Sequence, residues 1–184
     1  NPKSIHISCF DTSPLAPDYA FVLEHFPDIL QLAVDVLKKL TSGTVNLNIE
    51  DEARANNPFL KIKGAVVNRF KGPHPAGNVG VQIHHLDPIN KGDIVWTINP
   101  QDLLIIGKLF KKGIYDATKT VVVAGPLINR PVYHKTISGA QINKLLSLNC
   151  DIEKARIISG NVLTGTNISS HGFLCHYDSQ ITVI

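Results

Sequence analysis

The sequence predicts an α/β fold, an open and mainly parallel sheet with helices, followed by a small β-rich module. Three observations carry this expectation. Over residues 1–117, short runs rich in β-branched residues alternate with segments whose apolar positions recur every three to four residues. Near Ala117 that alternation gives way to closely spaced strands and one short helix. Glycine, proline and asparagine sit between the periodic segments, where they end helices and turn the chain.

The elements follow in order. Ser4–Phe10 reads as a strand that enters a loop at Asp11-Thr12-Ser13-Pro14. The next stretch, Pro14-Leu15-Ala16-Pro17-Asp18-Tyr19, is too rich in proline for a regular element. From Pro27 to Leu40, Ile29, Leu30, Ala33, Val34, Leu37 and Leu40 mark an amphipathic helix with Lys38 and Lys39 in its last turn. Thr41-Ser42-Gly43 ends it, and Val45–Ile49 forms the next strand. Residues 50–57 read as an exposed polar connection, and Gly64–Phe70 as a buried strand. A short helix is expected near Val79–Leu86, and a strand over Asp93–Ile98. Asn99 then caps a helix with Pro100 at its first position and Gly113 at its end.

Beyond Ala117, Lys119–Gly125 and Pro131–Ile137 read as strands. Ser138-x-x-Gln141 has the form of a capping box opening a helix that runs to Leu146. Ala155–Ser159 is a further strand closed by Gly160. Two strands, a helix and a return strand suggest a β-grasp-like module over 118–165, with 166–184 as a tail.

Composition bounds the function. The 184 residues are 43% hydrophobic and 18% charged, as expected for an ordinary folded domain. No apolar run approaches the roughly 20 residues needed to span a bilayer. The chain begins Asn1-Pro2-Lys3-Ser4, contains no Met, and reads as an excised fragment of a longer polypeptide. Its net charge of +3 is mild. Lys108, Lys111 and Lys112 cluster at one helix end, where they complement the dipole, and no aromatic-interleaved basic stripe points to nucleic acid. Cys9, Cys150 and Cys175 are scattered and lack C-x-x-C spacing, which argues against a cluster or structural zinc site and suits a reducing compartment.

The segment from Gly72 to Pro88 holds three glycines, three prolines and three histidines. Prolines fix the path and glycines permit close approach, so it reads as a shaped loop leading into a short helix. Its Pro75-Ala76-Gly77 is followed by His84-His85, Trp96-Thr97-Ile98 and Gln101-Asp102. That series resembles the NqrA family, one of the subunits of the bacterial sodium-translocating NADH:quinone reductase. The likeness is collinear over most of the chain. It takes in the segment from Phe10 to Tyr19, Ile105-Ile106-Gly107-Lys108-Leu109-Phe110, Ala124-Gly125-Pro126 and the stretch from Arg156 to Gly165. Asn161 stands where the family pattern has serine.

The resemblance implies a domain like the NADH- and flavin-binding subunit of complex I, then a soluble-ligand-binding β-grasp (SLBB) module. It implies a peripheral subunit on the cytoplasmic face of the bacterial inner membrane, supporting assembly and quinone binding. The whole enzyme couples NADH oxidation and quinone reduction to sodium export. Its partners would be the other pump subunits, including membrane subunits, and quinone. NADH, flavins, iron–sulfur centres and quinone would belong to the assembled complex, with no cofactor in this fragment and the N- and C-terminal regions missing. The alternative is a non-catalytic ligand-binding or scaffold module of a membrane redox complex.

Residue chemistry narrows the alternatives. A dinucleotide site needs G-x-G-x-x-G joining strand to helix, and prolines interrupt the glycines of Gly72–Gly80. Ser138-Gly139-Ala140 is followed by Gln141, which offers no hydroxyl for covalent flavin attachment. Adjacent histidines on a helix point about 100° apart, which makes joint metal binding by His84 and His85 awkward. A G-x-S-x-G elbow is absent. Trp96 and Phe110 read as core residues. The candidates for quinone or subunit contact are His74, Gly77, His84, His85 and Asp87, with Asp87 able to orient an imidazole. No catalytic, cofactor-binding or metal residue is assigned.

Overall fold

A computed structural model describes residues 1–146 and 155–184. Cys150 lies outside them. The chain divides into two compact units, one of Asn1–Thr12 with Asp18–Asp116, the other of Ser13–Pro17 with Ala117–Ile184.

The first unit is an α/β layer fold. Its strands are β1 (Ser4–Ser8), β2 (Thr44–Glu50), β3 (Val66–Phe70) and β4 (Val95–Thr97). They run parallel in the order β3-β2-β1-β4. Between β1 and β2 come α1 (Tyr19–Leu23) and α2 (Pro27–Leu37), between β3 and β4 comes α3 (Val79–Leu86), and α4 (Pro100–Lys112) follows β4. Because β3 and β4 lie on opposite sides of the β1–β2 pair, the order reverses at β1. That reversal defines the switch point at which open α/β sheets usually receive ligands.

Alternation along the strands divides the sheet's two faces. Ile5, Ile7, Val45, Leu47 and Ile49 are buried in one core with Leu30, Ala33, Val34 and Leu37 of α2 and Leu103 and Leu104 of α4. The alternate positions, Ser4, His6, Ser8, Asn46 and Asn48, put polar groups on the other face.

Local chemistry sets the helix ends. The Asn99 side chain accepts from the Gln101 amide at 2.9 Å, Pro100 occupies the first turn, and Gly113 closes α4 at φ 70°. α2 stops at Leu37, earlier than its periodicity suggests, because residues 38–40 tighten into three-residue turns. Lys38 is therefore the cap of α2, and Lys39 lies beyond it.

Two short elements add to the expectations in this unit, and two expectations are corrected. The proline-rich stretch passes directly into α1, whose Asp18 side chain accepts from the Phe21 amide at 3.1 Å. The polar connection after β2 ends in a 3₁₀ turn, Pro58–Lys61, capped by Asn57 and burying Phe59 completely. β3 is an edge strand with mostly half-buried and exposed side chains, because it pairs only with β2. Trp96 and Phe110 are not core residues: they are 43% and 61% exposed, one on edge strand β4 and the other near the end of α4.

The second unit is a mixed sheet of β5 (Thr118–Ala124), β6 (Val132–Ile137), β7 (Ile157–Ser159), β8 (Thr166–Ile168) and β9 (Gln180–Val183), in the order β6-β5-β9-β7-β8. A short helix, α5 (Asn143–Leu146), lies between β6 and β7 in sequence. The last strand runs parallel to β5 while the other pairings are antiparallel, an arrangement of β-grasp type. Residues 166–184 thus form no tail. They supply two strands, one of them central, and a connection pinned by Leu174 N–H on the Ala140 carbonyl (2.9 Å) and Ser159 Oγ on Asp178 Oδ2 (2.5 Å). The capping box is also absent. Ser138 and Gly139 sit in a tight turn closed by the Ala140 amide on the Ile137 carbonyl, and the Ser138 hydroxyl lies 3.0 Å from His176 Nδ1.

Where α2 meets α4, a Cβ on Gly107 would overlap the carbonyl oxygen of Ile29. Gly107→Ala gains about 1 kcal/mol of helix propensity. It is nonetheless expected to lose about 1–3 kcal/mol net through forced separation of the two helices. A lower urea midpoint at unchanged slope is the expected result, measured by circular dichroism.

Candidate functional site

The loop after β3 is fastened to the carboxyl end of β1. The Gly77 amide donates to Thr12 Oγ1 at 2.9 Å, and Ser8 Oγ donates to the Gly77 carbonyl at 2.8 Å. His74 Nδ1 lies 3.2 Å from the same Thr12 hydroxyl. Turns closed by Ala76 N–H on Pro73 and Asn78 N–H on Pro75 shape the segment between them. Gly77 is buried, and a Cβ there would come within 2.5 Å of the Thr12 amide nitrogen. Only glycine allows this approach, and the loop consequently occupies space at the β1 side of the switch point. A phosphate cradle there would need the backbone amides after β1 to be open.

Beneath the loop runs a buried polar network that the sequence reading missed. Gln82 of α3 donates to Ser8 Oγ at 2.9 Å and to the Ala76 carbonyl at 3.0 Å, while accepting from Asn48 Nδ2 at 2.9 Å. Asn68 of β3 donates to Asn48 and Asn46 at 3.0 and 3.2 Å, and Asn46 donates to Thr44 at 3.0 Å. His6 Nε2 lies 3.1 Å from Ser4 Oγ and 3.5 Å from Asn46 Nδ2. An available signal was the polar alternation Ser-x-His-x-Ser in β1 and Asn-x-Asn in β2. Parallel sheets are normally covered on both faces, so such side chains must find one another.

The five candidate residues do not converge. His74 and Gly77 hold the loop to β1. His84 and His85 are exposed in the last turn of α3, their ring centroids 5.6 Å apart and the planes at 70°. Asp87 caps α3 and, among the described residues, orients no imidazole by hydrogen bond. It pairs with Lys3 Nζ at 2.6 Å, just before β1, and Lys3 also reaches Asp93 at 3.1 Å. Hydrogen bonds to Asp87 and Asp93 raise the Lys3 pKa. The Asn90 amide, ahead of Lys3, lowers that of Asp93. Among the described residues, no group of three or more His, Cys, Asp or Glu side chains is placed to hold a metal ion. Cys9 and Cys175 are free thiols, and burial pushes the Cys9 thiol well above its ordinary pKa.

Comparison with known proteins places this geometry in a family. Residues 1–115 match the family model for the NqrA second alpha/beta domain, and residues 120–170 match that for the NQRA C-terminal domain, an SLBB domain. The chain is 39% identical over its whole length to the NqrA subunit of the Na(+)-translocating NADH-quinone reductase of Rhodopirellula baltica, and covers 40% of that protein. It is 36% identical to the corresponding protein of Yersinia pestis bv. Antiqua over 100% of the chain and 41% of the relative. For Vibrio atlanticus the values are 33%, 99% and 40%. The chain therefore spans about 40% of the length of these curated relatives. Among solved structures, one chain of an NAD+-reducing [NiFe]-hydrogenase in the air-oxidized state shares the fold. The TM-score is 0.64 at 14% identity, covering 100% of this chain and 40% of that one.

The buried network makes a pH prediction. Burial lowers the His6 pKa from its ordinary 6.5, with the Asp87 charge opposing, and Nδ1 has no hydrogen-bond partner among the described residues. An amide nitrogen donates, so a proton added at Nε2 would face Asn46 as a second donor. The unfolded chain takes its proton near 6.5, the folded chain only at lower pH. The His6 contribution is thus complete above 6.5 and is lost as pH falls toward the folded-state value. Urea midpoints are expected to decline below that pH, and His6→Gln to flatten the decline.

Proposed function

The chain belongs to the NqrA family, and we propose that it serves as part of the peripheral NqrA subunit of a sodium-translocating NADH:quinone reductase. In this reading it supports assembly and contributes a quinone or subunit contact, while NADH oxidation and quinone reduction drive sodium export in the whole complex. The carrying observation is the loop from Gly72 to Asp87. One part is locked to β1 through Thr12, Ser8 and Gln82, and the other presents His84 and His85 to solvent.

The two parts take different roles. His74 and Gly77 position the segment, and the exposed imidazoles make the contact. An imidazole N–H can donate to a quinone carbonyl, or to a carbonyl or carboxylate of a neighbouring subunit. NADH, flavins, iron–sulfur clusters and quinone belong to the assembled enzyme, and this chain holds no redox centre of its own. No helix among the described residues is long and apolar enough to cross a membrane. In this proposal ion passage falls to membrane subunits, and this chain is peripheral on the cytoplasmic face of the bacterial inner membrane.

The test uses the assembled complex. His84→Gln and His85→Gln, singly and together, are expected to lower quinone reduction several-fold or loosen retention of NqrA in the complex. NADH oxidation by an artificial acceptor should be unchanged. Normal assembly and quinone reduction in the double variant would make the segment purely structural. Stoichiometric flavin or iron–sulfur absorption in purified NqrA would overturn the assignment of those centres to its partners.

A further inference from the structure

We propose that the end of α4 and the turn after it, Leu109–Tyr115, form a docking surface for an anionic lipid surface. All seven residues of the stretch are exposed. Phe110, Ile114 and Tyr115 are 61%, 67% and 60% exposed and bracket Lys111 and Lys112. The inference extends the peripheral placement proposed above to a named surface, and the vesicle test below can fail while membership of the complex stands.

Charge and apolar exposure coincide here. No acidic residue occurs between Leu103 and Tyr115. Asp116, the nearest carboxylate in sequence, is held by Lys108 at 2.8 Å. Among the described residues, neither Lys111 nor Lys112 makes an ion pair. The helix dipole accounts for lysines in a last turn. It does not account for three large apolar side chains beside them.

Helix capping does not account for them either. The Gly113 amide bonds to the Leu109 carbonyl at 2.7 Å, and such ends often pack the residue after the glycine back onto the last turn. Ile114 stays largely in solvent, and Leu109 is exposed as well.

Area favours a lipid surface over a protein. Three side chains, each about two-thirds exposed from a surface of roughly 200 Å², offer a few hundred Å². That is somewhat under the roughly 450 Å² of apolar area within the roughly 800 Å² each partner gives a standard protein interface. It suits a short element whose apolar groups enter the acyl boundary while lysines meet anionic headgroups.

The experiment measures co-sedimentation of intact NqrA with phosphatidylcholine vesicles, with and without phosphatidylglycerol. Binding is expected to prefer the anionic vesicles and to weaken with salt. K111Q/K112Q should reduce anionic binding on the order of thirtyfold. F110S/I114S/Y115S should abolish binding without lowering the unfolding midpoint, since these positions are exposed. A polarity-sensitive dye at Tyr115→Cys should shift to the blue on anionic vesicles. Absence of vesicle binding, equal binding to neutral vesicles, or a dye that responds only to partner subunits in lipid-free complex would each overturn the proposal. The last result would assign the surface to a protein.

Discussion

Gln82 ties the first unit's sheet to its most distinctive loop. Fully buried, its amide uses one oxygen and two N–H groups on three partners, Asn48 in β2, Ser8 in β1 and the carbonyl of Ala76 in the loop. A buried amide with every group paired contributes little net energy, whereas each partner left unsatisfied costs about 1–3 kcal/mol. The constraint is therefore directional. Strand register, helix placement and loop path must agree at one side chain, or several buried groups go unpaired together.

That agreement reaches the loop through Gly77. Its carbonyl accepts from the Ser8 hydroxyl that Gln82 also engages, and its amide is met by Thr12. The absence of a Cβ brings the two backbones together at the carboxyl end of β1. The same loop then feeds α3, which carries His84 and His85 to the surface. Exposed imidazoles at the end of an anchored helix lose little freedom on meeting a partner, which favours contact over a mobile linker. The apolar face of the sheet takes no part in this and is filled by α2 and α4.

Much of the scaffold was legible because its signals are local. Apolar spacing marked α2, Asn99, Pro100 and Gly113 bracketed α4, and β-branched runs located the longer strands. Local signals failed where tertiary pairing decides. β3 has the apolar content of a buried strand yet lies at an edge, a fact fixed by the path of the chain after β3 and not by its residues. Trp96 and Phe110 have core-type side chains in positions that the sheet and helix leave outside. Ser138 and Gln141 have capping spacing, but Ser138 lies in a turn closed by the Ala140 amide on Ile137, and the Gln141 side chain donates to the His171 carbonyl.

The site was half legible for a related reason. Proline and glycine content announced an ordered loop, and His74 and Gly77 are indeed held in it. Asp87 was expected beside a histidine and instead meets Lys3, 84 positions away in sequence. Ser8, Thr12, Asn48 and Gln82 look ordinary singly and acquire their roles only through register. Amide exchange at Gly77 reports on this account most directly, followed by NMR in the native protein and in Gln82→Leu. Loss of the three Gln82 bonds is predicted to speed exchange of the Gly77 N–H by about tenfold or more, as for an opening made easier by at least 1.4 kcal/mol. Unchanged exchange at Gly77 in a folded Gln82→Leu protein would contradict it.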